Sequence, residues 1–196
     1  KVDKQVRKII NEIKKNGDDA IIKFVKKYDK SKINKSKILI NPKIISYNSR
    51  KANIRTLESF KIAIKKISKY HKKQYPKNYF IKGKGYHLSQ RWRPIDSVGL
   101  YVPGGKASYP SSLIMNIVPA KIAGVKRIVV ATPSNKGKFN SYIMAILKFF
   151  KIKEVYQIGG AHAIAALAYG TKTIKPVNKI FGPGNIYVNS AKKQVF

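Results

Sequence analysis

Cysteine is absent from the 196 residues, so neither a disulfide nor a thiolate takes part in the chemistry of this chain. Carboxylates are scarce: 8 Asp and Glu stand against 42 Lys and Arg, a formal charge of +34. The acids are Asp3, Glu12, Asp18, Asp19, Asp29, Glu58, Asp96 and Glu154, with no paired-carboxylate spacing and no Glu-His dipeptide. General acid-base work by two neighbouring carboxylates therefore has no signature here. His71, His87 and His162 are dispersed and lack the Cys or clustered acids that would complete a zinc site. No uninterrupted apolar run approaches the roughly 18 to 20 residues that span a bilayer, which argues against a membrane protein. The first residues, "KVDKQVRKII", lack both an initiator Met and the apolar core of a secretory signal. The expectation is an excerpt of a cytoplasmic protein, beginning after the true N-terminus.

What is present is a folded composition, 43% hydrophobic, in a length suited to one ordinary domain or one and a half small ones. The charge taken alone predicts attraction to nucleic acid or an anionic surface. Its distribution weakens that reading. Lysines are scattered from Lys1 to Lys193, while arginine is confined to Arg7, Arg50, Arg55, Arg91, Arg93 and Arg127. Readers of nucleic acid favour Arg for its bidentate geometry. Abundant Lys, Ile and Asn together fit a surface set by codon bias. A basic nucleic-acid-binding protein, with tyrosines among lysines as in "KYHKKQYPKNYF", is the alternative.

Helical spacing runs through Val6, Ile9, Ile10 and Ile13, then Ala20, Ile21, Phe24 and Val25, broken at "NGDD". There Gly17 is placed to end one helix, and Asp18 or Asp19 to start the next. A second helix is predicted from about Asn53 to Tyr70, with Ile54, Leu57, Phe60, Ile64 and Ile67 on one stripe. Strands around a Gly83/Gly85 turn follow, with Pro94 at an edge or bend. From Ser97 the pattern changes. The apolar runs "SVGLYV", "RIVVATP", "EVYQIGG" and "VNKIFGPGN" alternate with the helical "LIMNIVPAKIAG", "FNSYIMAILKFF", "AHAIAALAYG" and "IYVNSAKKQVF". Such alternation calls for an α/β fold with a parallel sheet and right-handed crossovers.

Gly104/Gly105, Gly159/Gly160 and Gly182/Gly184 each fall after a strand and before a helix. Loops at the carboxyl ends of parallel strands share one edge of the sheet, where α/β proteins bind ligands. Glycine admits close approach of backbone amides, and a helix N-terminus favours an anion. Three such loops in register point to a nucleotide-sized ligand. The familiar fingerprints fail, however. No G-x-G-x-x-G follows any strand, and Gly99 to Lys106 is one residue too long for a Walker A loop, with Ala107 where Ser or Thr should bind magnesium.

The stretches "RPIDSVGLYVPGGKASYPSSLIMNIVPAKIAGVKRIVVATP", "GGAHAIAALAYGT" and "VNKIFGPGNIYVNSAKKQV" resemble the histidinol dehydrogenase family, and "VRKIINEIKKNGDDAIIKFVKKYD" resembles its N-terminal helical region. The resemblance implies an incomplete Rossmann-like parallel sheet with flanking helices over 83–196, preceded by an N-terminal helical region over 1–82. It implies a cytoplasmic, zinc-dependent homodimer that oxidises L-histidinol through the aldehyde to L-histidine with NAD. It carries NAD contacts onto Tyr101 and Asn185, and onto His162, which stands where the family has glutamine. A strand-end tyrosine suits a base or ribose, and Asn185 suits both a helix cap and an amide contact. A neutral imidazole at 162 keeps one donor and one acceptor, and a nearby helix N-terminus disfavours its charged form. The family's zinc ligands, substrate contacts and Glu-His pair lie beyond "GPGN". The expected catalytic and metal residues of this stretch are therefore none. It is expected to be an N-terminal portion that is inactive alone, with an aggregation-prone sheet edge.

Overall fold

The computed structural model describes residues 1–104 and 109–196. Gly105 and the Walker-like positions Lys106 and Ala107 lie outside the described residues. Helix α1 (Val2–Phe24) is interrupted where the sequence predicts a break: Gly17 takes φ 50° and ψ −122°, a conformation that L side chains rarely adopt. Asp18 does not cap the helical stretch beyond that break. It is buried and accepts the Thr173 hydroxyl at 2.6 Å, tying α1 to the far end of the sequence. A π-helical turn (Val25–Asp29) then carries the chain to the sheet.

Between the two predicted stretches of helical spacing, and within the N-terminal helical region, the chain also forms α2 (Pro42–Ser49). Asn41 accepts the Lys43 amide at 2.8 Å, and Pro42 supplies a preset φ where no amide donor is needed. Asn53 caps α3 (Ile54–Lys73) in the same way, accepting from Thr56 at 3.3 Å. The predicted stripe on α3 is only half realised. Phe60, Ile64 and Ile67 pack on the core, whereas Ile54 remains 74% exposed. Strands β1 (Tyr79–Gly83) and β2 (Tyr86–Gln90) pair as an antiparallel hairpin outside the main sheet, with Gly85 at φ 86° in its turn.

The main sheet contains β3 (Ser97–Tyr101), β4 (Arg127–Ala131), β5 (Glu154–Tyr156) and β6 (Lys179–Phe181), all parallel, in the order β5-β4-β3-β6. Helices α4 (Pro110–Ile122), α5 (Ser141–Phe149), α6 (Gly160–Tyr169) and α7 (Ile186–Val195) complete the alternation. Every residue of β3 is buried, as a strand covered on both faces should be. The period of two sorts the side chains cleanly. Tyr101, Val129, Ala131 and Tyr156 join α1, α6 and α7 in one core. Leu100, Ile128, Val130 and Val155 join α4 and α5 in the other. Gly99 lies on the α6 face, where a Cβ would meet Val177 at 3.0 Å and Leu167 at 3.1 Å, so glycine lets the helix close on the strand.

At the amino edge of the sheet, Arg127 grips Glu154 with two bonds of 2.8 Å and donates a third, at 2.7 Å, to the Pro176 carbonyl. The paired Arg127 holds the Glu154 carboxyl below its usual range despite partial burial. This clasp joins β4 to β5 opposite the ligand-facing rim. Among the described residues, no helix is long and apolar enough to cross a membrane.

Candidate functional site

The strand order reverses between β3, where the sheet begins, and β6, which returns on its other side. The carboxyl ends of those two strands flank the crevice where doubly wound sheets take ligands. The glycine turns follow the carboxyl ends of the parallel strands, as the strand-helix alternation expects of one rim. A Cβ on Gly182, whose φ is 115°, would overlap the Tyr101 carbonyl oxygen, so the β6 loop lies against the end of β3. Gly104 and Gly159 close on the β4 loop from two sides: their Cβ atoms would stand 2.5 and 2.9 Å from Pro133. Lys192 of α7 donates to the Gly182 carbonyl, and burial lowers the pKa of its ammonium.

Tyr101 ends β3 at 4% exposure. Its hydroxyl accepts the Gly160 amide at 3.1 Å, joining the β3 loop to the N-terminus of α6. Burial pushes the phenol pKa up, the Gly160 bond opposes that shift, and the Asp29 charge adds to it. Tyr101 thus holds the rim together, and in this structure its ring belongs to the core beneath the crevice.

Asn185 occupies the outer position. It is exposed, and its side-chain oxygen accepts the amides of Tyr187 and Val188, each at 3.1 Å, capping α7. Its amide nitrogen makes no bond among the described residues and lies open to solvent.

His162 sits one turn into α6 at 1% exposure, deeper than a direct contact would require. Phe24 and Tyr28 flank the imidazole at centroid distances of 5.8 and 6.2 Å. Among the described residues Nε2 has no hydrogen-bond partner, and Asp29 Oδ2 lies 3.4 Å away. That same Oδ2 accepts the Gly159 amide at 3.1 Å. Asp29 is the residue that sequence reasoning missed. It sits in the N-terminal region, 130 positions from the glycine it touches, and no local pattern marks it.

Among the described residues no group of three or more His, Asp or Glu gathers as a metal site. The donor set here does not fit zinc. A cavity of about 420 Å³ is lined by Trp92, Arg93 and residues of α4, with neither Asp29 nor the Gly159–Gly160 turn in its wall.

The histidinol dehydrogenase family model matches residues 1–196. The chain belongs to the histidinol dehydrogenase family. It is 44% identical over 196 residues to the histidinol dehydrogenases of Brucella abortus (strain 2308) and Carboxydothermus hydrogenoformans. In each case the match covers 100% of this chain and 46% of the relative. The crystal structure of histidinol dehydrogenase from Elizabethkingia anophelis superposes with a TM-score of 0.94 at 32% identity, covering 100% of this chain and 45% of that one. The chain therefore spans about half the length of the relatives it matches. The α/β architecture agrees with that of the solved relative.

Proposed function

We propose that this chain supplies the NAD-binding shelf of a histidinol dehydrogenase that oxidises L-histidinol through the aldehyde to L-histidine in the cytoplasm. The observation that carries this is the row of three glycine turns along the carboxyl ends of the parallel strands, with Gly182 against Tyr101 at the reversal of strand order and Gly104 and Gly159 against Pro133 beside it. At Gly104 and Gly182 a Cβ would collide with Pro133 and with the Tyr101 carbonyl, so glycine lets the strand-end loops pack tightly on one another and form a continuous rim of backbone on which a dinucleotide would rest. Asn185 would face the dinucleotide from the crevice mouth, its free amide nitrogen donating while its oxygen caps α7. Tyr101 and His162 would shape the seat from below, Tyr101 through Gly160 and His162 beside Asp29.

The nicotinamide cofactor would supply the hydride acceptor, and the two oxidations, alcohol to aldehyde and hydrated aldehyde to acid, would consume two NAD in succession. A base for the hydroxyl proton and an activated water are also required, and no residue described here is placed for either. The zinc ligands, the base and the homodimer contacts are assigned to sequence beyond this segment. The test compares this segment with the full-length chain that carries it, each supplied with L-histidinol, NAD and zinc. The full-length chain should form NADH, and the isolated segment should not exceed a blank without substrate. NADH formation by the isolated segment would place the catalytic groups among these residues and refute the assignment.

A further inference from the structure

Asp29 has no part in the chemistry outlined above, yet it is the most heavily engaged acid near the rim. Its side chain is 9% exposed. One oxygen accepts the Gly159 amide at 3.1 Å, immediately before α6. The next amide, that of Gly160, goes to the Tyr101 hydroxyl at 3.1 Å. Two successive donors at one helix N-terminus are thus divided between an acid from the N-terminal region and a phenol at the end of β3. The turn has little freedom to rearrange. Gly160 sits at φ 59°, and a Cβ on Gly159 would lie 2.9 Å from Pro133 and 3.0 Å from the Asp29 carboxylate. A carboxylate at a helix N-terminus is favoured for the reason a phosphate is: unpaired amides and the positive end of the helix dipole. Asp29 fills that place, so an incoming phosphate finds it already taken. The imidazole of His162, 3.4 Å from the same oxygen and walled by Phe24 and Tyr28, closes the carboxylate off from solvent.

We propose that Asp29 is a positioning residue of the rim: its carboxylate caps α6, fixes the Gly159–Gly160 turn, and through Gly160 sets the Tyr101 hydroxyl. This deepens the cofactor-shelf reading and rests on it only for the affinity arm of the test. The full-length chain is made as wild type, Asp29→Ala, Asp29→Asn and the remote control Asp19→Asn, with ring-labelled tyrosine. Carbon NMR follows the Tyr101 resonance, assigned by its loss in Tyr101→Phe, and calorimetry gives NAD affinity. Asp29→Ala should move the Tyr101 resonance and weaken NAD by about tenfold, the size expected for a lost charge-assisted bond. Asp29→Asn keeps an acceptor oxygen for Gly159 and should recover affinity to within about threefold. Asp19→Asn should change neither readout. An unmoved Tyr101 resonance in Asp29→Ala, or an equal loss in Asp29→Asn, overturns the proposal. Absence of NAD binding by the wild type would instead defeat the cofactor reading, and the resonance would still decide whether Asp29 positions Tyr101. Should Asp29→Ala not fold, Asp29→Asn against wild type decides: a displaced Tyr101 resonance there overturns the proposal.

Discussion

Replacing Asn185 separates capping from ligand contact, because Asp keeps one and reverses the other. In the wild type the Asn185 oxygen takes two otherwise unpaired amides, those of Tyr187 and Val188, each at 3.1 Å. Alanine removes that acceptor and should cost about 1 kcal/mol, within the range for lost N-caps. For a chain of this size the melting temperature should fall by about 3 °C. Aspartate is an equally good cap and adds a charge that the helix dipole favours, so Asn185→Asp should melt at or slightly above the wild-type temperature. Binding should move the opposite way. A carboxylate within about 5 Å of a dinucleotide phosphate carries a repulsion of about 1 to 3 kcal/mol, depending on the effective dielectric. NAD affinity should therefore drop by at least about fivefold in the full-length chain. Thermal unfolding and calorimetric NAD titration, run on both variants, give the two quantities separately. Undiminished NAD affinity in a stable Asn185→Asp protein would show that Asn185 caps α7 and does nothing for the ligand.

Gly182→Ala should be among the most damaging single substitutions at the rim. The residue sits at φ 115°, and the new methyl would overlap the Tyr101 carbonyl, so a loss of at least about 2 kcal/mol is expected in denaturant unfolding. An alanine variant within about 0.5 kcal/mol of wild type would mean that the β6 loop does not lie against β3. At the opposite edge, Glu154→Gln should cost about 1 kcal/mol at neutral pH, since the clasp to Arg127 is partly exposed and screened. Its pH dependence has a definite sign. The folded-state pKa of Glu154 lies below the ordinary value of 4.5, so the stabilisation is fully present above that value and is lost as pH falls through the depressed pKa. The gap between wild type and Glu154→Gln should thus close in acid, and a gap that persists unchanged at low pH would contradict the ion-pair account.

The sheet was legible because burial on both faces forces near-continuous apolar strands, and because each crossover helix carries its own stop and start signals. Gly170 is such a stop signal, and the structure places it at the end of α6. Helix α2 had a signal too, the Asn41-Pro42 pair, but eight residues of weak periodicity gave it little weight beside the longer helices. The charge of +34 taken alone pointed toward polyanions, and the scatter of lysines already discounted it, since net charge speaks to association and solubility and not to fold or chemistry.

The candidate site was legible only along the sheet. Strand-end glycines repeat with the fold, so sequence order alone brings Gly104, Gly159 and Gly182 to one edge. What packs beneath that edge is decided by tertiary contact. His162 follows a glycine pair, a position that in sequence suggests a ligand-facing side chain, yet α6 turns it inward against Phe24 and Tyr28. A helix covered by α1 on one side and the sheet on the other has little outward face, and residues 161–167 are all buried. The N-terminal helices therefore do more than precede the sheet. By supplying Asp29 to the start of α6 and Asp18 to Thr173 just beyond its end, they hold α6 from both ends with two carboxylates from a chain that has only 8 acids in all. Those two are buried against specific donors, where losing the charge or the shape would leave amides and a hydroxyl unpaired. In so basic a protein, an acid kept in such a position marks where the geometry is least tolerant of change.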